Sequence, residues 1–207
     1  DEARLEQIAL VTKKPVYPAG LDEPYQLNIF PEEGWGFRGK PALEGNRQGH
    51  NWASAFNLVK VTSQEQSATF RLEDRQAGLE LEIAYHLAKA SNVLQCRTRL
   101  TNLSETPYEV QYCASGALPI PSCCEDLLTF HGCWTNEFNT ERLPFSSGLT
   151  LFENRTGRTS HEVFPAMIAG TKGFDQNSGT VYGLHLGWSG NSRLFAERVP
   201  DSNRQMQ

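Results

Sequence analysis

Hydrophobic and polar residues alternate along this chain with a period of two. Over residues 78–87, Leu79, Leu81, Ile83, Tyr85 and Leu87 alternate with Glu80, Glu82, Ala84 and His86. That spacing sends one set of side chains into a core and the other into water, the mark of a half-buried antiparallel strand. Residues 181–191 follow the same rule, with Tyr182, Leu184, Leu186 and Trp188 on one face and Gly183, His185 and Gly187 on the other. The bulky face is expected to pack on the core, and the glycine face to receive a second sheet. Ser189-Gly190-Asn191 then turns the chain.

Residues 55–62, 67–73, 93–103, 108–117, 149–153 and 193–198 also read as strands, with a weaker signal at 4–11 from Leu5, Ile8, Leu10 and Val11. Asp74-Arg75-Gln76-Ala77-Gly78 reads as a hairpin loop and Ala90-Ser91-Asn92 as the next turn, so the expected topology is an antiparallel meander. No window holds a helical period for more than a turn or two. Residues 14–33, broken by Pro15, Pro18, Gly20, Pro24 and Pro31, are expected to run along a surface. Residues 132–148, with Trp134, Glu137, Arg142 and Pro144, show no clear period and are expected to make an excursion over the sheet. The polar tail, 199–207, shows no closing element, and the lack of a start methionine points to a segment of a longer chain.

A length of 207 residues suits one β-sandwich, so residues 1–207 are expected to form a single all-β domain with little helix. Twenty-four acidic against nineteen basic residues give a net charge of −5 with no block of like charge, which argues against nucleic acid or an anionic membrane as partner. No apolar run is long enough to cross a bilayer, and residues 1–10 lack the pattern of a signal peptide. Five cysteines, odd in number and sparse, fit a reducing compartment, so the expected location is the cytoplasm. Two glycosylation-type triplets, Asn102-Leu103-Ser104 and Asn154-Arg155-Thr156, leave secretion as the alternative.

The usual catalytic signatures are missing: no nucleophile elbow, phosphate loop, dinucleotide fingerprint or zinc helix. Cys123, Cys124, His131 and Cys133 come nearest to a metal set, but adjacent cysteines do not easily face one ion, and no metal is expected. Glu137, Glu153, Glu162 and Asp175 are carboxylates of the kind glycoside hydrolysis uses in pairs, yet no spacing identifies a pair. His50, His86, His131, His161 and His185 are scattered. His161 stands out because Gly157-Arg158-Thr159-Ser160-His161 concentrates polar groups in a turn, as a site or an inter-domain hydrogen-bond cluster would. Trp35, Trp52, Trp134 and Trp188 offer flat apolar faces suited to sugar rings, although such residues are first of all core and interface material.

Several separate segments carry a family resemblance. Phe130-His131-Gly132-Cys133-Trp134-Thr135-Asn136-Glu137 is followed by Glu153-Asn154-Arg155-Thr156-Gly157-Arg158-Thr159-Ser160-His161 with Pro165 after it. Then come Gly179-Thr180-Val181-Tyr182-Gly183 and Trp188-Ser189-Gly190-Asn191. Their order and spacing resemble the N-terminal domain of glycoside hydrolase family 36 α-galactosidases, and Gly39-Lys40-Pro41-Ala42-Leu43 resembles a segment of its raffinose- and melibiose-hydrolysing members. The resemblance spans about residues 25 to 198.

It implies an antiparallel β-supersandwich of the galactose mutarotase-like architecture. It also implies that a following (β/α)₈ barrel carries both catalytic aspartates of a retaining mechanism, so that no catalytic residue and no cofactor is expected in this chain. The partners it implies are the protein's own barrel, other subunits of a homo-oligomer, and a galactoside substrate in the context of the full enzyme. Trp35, Phe37, Arg38 and Trp52 are then the candidates for contact with substrate or a neighbouring subunit. Trp134, Glu137, Arg158, His161, Ser189 and Asn191 are the candidates for contact with the barrel. Some members place an aspartate in the loop at 34–39, where this sequence has none. Two other functions stay open: a stand-alone carbohydrate-binding sandwich using Trp35 and Trp52, and a mutarotase-like epimerase for which His185 is the one nominee.

Overall fold

A computed structural model describes residues 28–200 and 203–207. The strand signal at 4–11 and most of the proline-broken segment lie outside the described residues. The chain divides into two compact units, Asp1–Ala117 and Leu118–Gln207. Among the described residues all sheets are antiparallel, and the helical content is one 3-10 turn, Glu33–Trp35.

In the first unit, β1 (Leu43–Asn46), β2 (Asn57–Gln64), β3 (Ser67–Asp74), β4 (Leu79–Ala88), β5 (Val93–Asn102) and β6 (Glu109–Cys113) follow one another. A four-stranded sheet runs in the order β2-β3-β4-β5, and β1 pairs with β6. This is the expected meander. Leu79, Leu81, Ile83 and Tyr85 of β4 are buried, joined by Phe70 and Leu72 of β3 and by Leu43, Ala42 and Ala114 beside the small sheet. The loop between β3 and β4 is fixed by Asp74, whose Oδ1 accepts the Ala77 N–H and whose Oδ2 accepts the Ala55 N–H, both at 2.9 Å. Such side-chain-to-backbone bonds are why Asp favours turns. Arg47 ties the end of β1 to the same region, its guanidinium donating to Ala77 O and Asn102 Oδ1 at 2.9 Å each.

The second unit holds β7 (Leu118–Ile120), β8 (Cys124–Cys133), β9 (Asn136–Pro144), β10 (Gly148–Asn154), β11 (Val163–Thr171), β12 (Val181–His185), β13 (Ser192–Arg198) and β14 (Arg204–Met206). One sheet is ordered β10-β13-β14-β7 and the other β12-β11-β8-β9. Their inner faces share a core of Leu127, Met167, Ala169, Leu194, Ala196, Ile120 and Met206.

Three expectations are corrected in this unit. The stretch 132–148 is no excursion: β8 and β9 form a hairpin whose register runs from Asp126↔Pro144 to Cys133↔Asn136. The tail does close a sheet, since β14 lies between β13 and β7. The alternation at 181–188 is only half a core pattern. Leu184 and Leu186 pack on the core, whereas Tyr182 is exposed and Trp188 is 62 % exposed. Among the described residues the glycine face meets no second sheet, because a Cβ added at Gly183 or Gly187 would find none of their atoms within 4 Å. Among the described residues β12 is an edge strand, paired with β11, and an edge does not impose burial along its whole length.

Candidate functional site

In the first unit the 3-10 turn Glu33–Trp35 ends on Gly36, whose φ of 86° is the left-handed conformation that favours glycine. The turn is zipped onto residues 54–56. Gly34 N–H donates to Ser54 O at 2.9 Å, Trp35 Nε1 to Phe56 O at 3.0 Å, and Phe56 N–H to Glu32 Oε2 at 2.6 Å. Trp35 is therefore half-buried with its one polar atom satisfied, Phe37 is buried, and Arg38 is exposed. Glu32 is buried, which pushes its carboxyl well above the usual range, a shift reduced by the Phe56 N–H and reinforced by the nearby Asp74 charge.

Beside this zipped loop lies a cavity of about 210 Å³, lined by Asn51, Trp52, Asp74 and Gln76 with Ala55 and Ala77 among its apolar walls. Trp52 is 61 % exposed, so it stands where the cavity meets solvent. Sequence reasoning found Trp52 but missed Asn51, Asp74 and Gln76. Their only sequence signal was membership of turns, which is also the signal of ordinary loops.

In the second unit one end of the β12-β11-β8-β9 sheet gathers the residues proposed for barrel contact. Trp134, in the β8–β9 turn, is 78 % exposed and meets the His161 ring edge-on at 6.2 Å. Glu137 Oε1 accepts the Thr135 N–H at 3.0 Å and so closes that turn. The loop 155–162 is joined to the loop after β12: Asn191 Oδ1 accepts the Gly157 N–H at 2.7 Å, and Ser189 O accepts the Thr159 N–H at 2.8 Å. Arg158 takes part through its carbonyl, which accepts from Asn154 Nδ2 at 2.6 Å. All six candidates thus lie at one end of that sheet, Glu137 at the start of β9 and the other five in neighbouring loops. Sequence reasoning missed the aromatic row beside them, in which Phe164 contacts Phe130, Phe138 and His185 at 6.4, 5.0 and 5.5 Å.

The other chemistry-bearing groups stay apart or serve the fold. Cys124 and Cys133 begin and end β8, a separation of about 30 Å at roughly 3.3 Å per residue, so the cysteine–histidine set does not converge. Glu153 is held between Arg155 and Arg193, which lower its pKa, and Asp175 accepts the N–H groups of Asn177 and Ser178. His131 bridges Thr129 Oγ1 and Glu162 O at 2.8 and 3.1 Å. His185 lies stacked on Phe164, and its partner across the sheet is Ala166, so the epimerase reading gains no acid opposite it.

Comparison with known proteins agrees with this architecture. The profile of the glycosyl hydrolase family 36 N-terminal domain matches residues 4–207, and the chain belongs to that family. An α-galactosidase of Escherichia coli is 38 % identical over 195 residues, covering 94 % of this chain and 27 % of the relative. A bifunctional α-galactosidase/sucrose kinase of Mediterraneibacter gnavus is 26 % identical over 206 residues, 88 % of this chain and 22 % of the relative. Among solved structures, a variant of the α-galactosidase AgaA of Geobacillus stearothermophilus in complex with raffinose superposes with a TM-score of 0.81. It is 21 % identical over 96 % of this chain and 30 % of its own length. At that identity the likeness establishes the fold. The chain spans about a quarter of the length of the curated relatives it matches.

Proposed function

We propose that this chain is the N-terminal domain of an α-galactosidase and performs no hydrolysis itself. The observation that carries this reading is the family match over residues 4–207, in a chain 38 % identical to an α-galactosidase of which it spans 27 %. The chemistry then resides in a following catalytic barrel, whose carboxylates release terminal α-linked galactose from sugars such as melibiose or raffinose with retention. The local tasks of Glu153 and Asp175 support this assignment, because each carboxylate is committed to structural bonds. The loop end bearing Trp134, His161, Ser189 and Asn191 packs against that barrel, and the zipped loop at Trp35 and Arg38 faces a neighbouring subunit. The whole protein works as a cytoplasmic homo-oligomer without a cofactor.

The test compares the 207-residue chain with a longer protein that continues it, each incubated with melibiose and raffinose while free galactose is measured. Galactose release by the longer protein and none by the chain is the expected result. Release by the chain alone, or none by the longer protein, overturns the reading.

A further inference from the structure

We propose that the cavity beside Trp52 is a binding site for a single neutral pyranose ring, a function additional to the α-galactosidase reading and independent of it. A pyranose presents an apolar C–H face and a rim of hydroxyls, and a site for it therefore needs a flat apolar surface beside a few fixed donors and acceptors. The cavity supplies both kinds of surface. Trp52 lines it and remains 61 % exposed, a large aromatic held at an opening with no core position to fill. At about 210 Å³ the space falls below the roughly 300–1,000 Å³ of sites that enclose drug-sized ligands, which limits the occupant to one ring.

The polar groups are held in advance. Asp74 is buried, and each of its oxygens accepts one backbone N–H, from Ala77 and Ala55, at 2.9 Å. An ionised carboxylate has about four lone-pair positions, so these two bonds orient the group and leave capacity for a sugar hydroxyl. Asn51 adopts a left-handed backbone with φ of 56°, and its carbonyl is held by the Tyr108 hydroxyl at 3.2 Å. Its Nδ2 lies 3.4 Å from Gln76 O, which leaves the Asn51 Oδ1 and the Gln76 side-chain amide to serve further hydroxyls. Preorganisation of this kind reduces the entropy lost when a ligand binds.

The experiment is an NMR titration of the 207-residue chain with methyl α-galactoside and methyl α-glucoside, using glycerol as the ringless control. The Trp52 indole N–H signal is identified by its absence from the spectrum of Trp52→Phe. Saturable shifts at that signal and at the amides of Asn51, Gln76 and Ala77, in the millimolar range for at least one glycoside, are the expected result. Trp52→Phe keeps a flat face and stays within a few fold of the parent affinity, measured on the backbone amides. Trp52→Ala weakens binding more than tenfold and Gln76→Ala several fold. Both side chains are exposed, so unchanged thermal unfolding of these variants confirms that the fold is intact. The proposal is overturned by shifts that do not saturate, by glycerol shifts equal to those of the glycosides, or by Trp52→Ala binding as tightly as the parent. It is also overturned if the saturating shifts fall instead on Trp134 or Trp188, the exposed tryptophans of the other unit. Each of these outcomes leaves the hydrolysis test of the longer protein unaffected.

Discussion

Glu32 shows how one side chain carries a cost that only folding creates. Its carboxyl is buried and accepts the Phe56 N–H at 2.6 Å, with Asp74 close enough to oppose its ionisation. The folded pKa therefore lies above the ordinary 4.5, and the native state keeps the proton longer than the unfolded chain does. Where the native state binds more protons, stability falls as pH rises. The contribution of Glu32 is thus fully present below pH 4.5 and declines above it, up to the folded pKa. Glu32→Gln keeps an acceptor for Phe56 N–H and removes the titration. Thermal unfolding across pH should show a Tm gap in favour of the variant that widens from pH 4.5 towards neutrality; a constant gap would show that Glu32 titrates alike in the folded and unfolded states. The tryptophans were only partly legible. Alternation assigned Trp188 to the core, but it lies past the end of β12, where the chain leaves the sheet and the period-two rule no longer applies.

Among the elements, legibility followed burial on one face. Strand β4 reads cleanly because Leu79, Leu81, Ile83 and Tyr85 face a core while Glu80, Glu82 and His86 do not. Strands β8 and β11 carry apolar residues on both faces, Leu127 and Met167 inward, Phe130 and Phe164 outward, so the alternation that would announce them is lost. Strand β9 is a polar edge strand specified by its pairing with β8. The turn between them depends on Gly132, where an added Cβ would lie 2.3 Å from Asn136 O and 2.9 Å from Glu137 Cα, both backbone atoms. Gly132→Ala must open the hairpin, at an expected cost of about 1–3 kcal/mol, as for other overpacked sites. Denaturant unfolding measures the loss, and a variant as stable as the parent would show that the turn does not require the glycine.

At the scale of the whole molecule, the chain is a fragment of the length of its relatives with a net charge of −5 and two separate cores. The exposed large apolar side chains of the second unit include Trp134, Phe138, Tyr182 and Trp188. If Trp134 meets a catalytic barrel, Trp134→Ser has two different effects. The isolated chain keeps its stability within about 0.5 kcal/mol, as exposed substitutions do. The longer protein loses thermal stability, or activity, because an apolar contact is removed. Equal melting of parent and variant in the longer protein, with activity retained, would exclude Trp134 from that interface.

The sequence by itself determined the all-β class, the meander of β2 to β5, the turn at Asp74 and the family. These rest on local rules: period two, turn chemistry, and motifs kept in order along the chain. Only the tertiary structure decided that Asn136–Pro144 and Arg204–Met206 are strands, that Trp188 is exposed, and that Asn51, Trp52, Asp74 and Gln76 share one cavity. The polar edge strand β9 carries no alternation of its own, while the pairing of β14 with β7 and the cavity join residues apart in sequence, and no local pattern records which partners will meet.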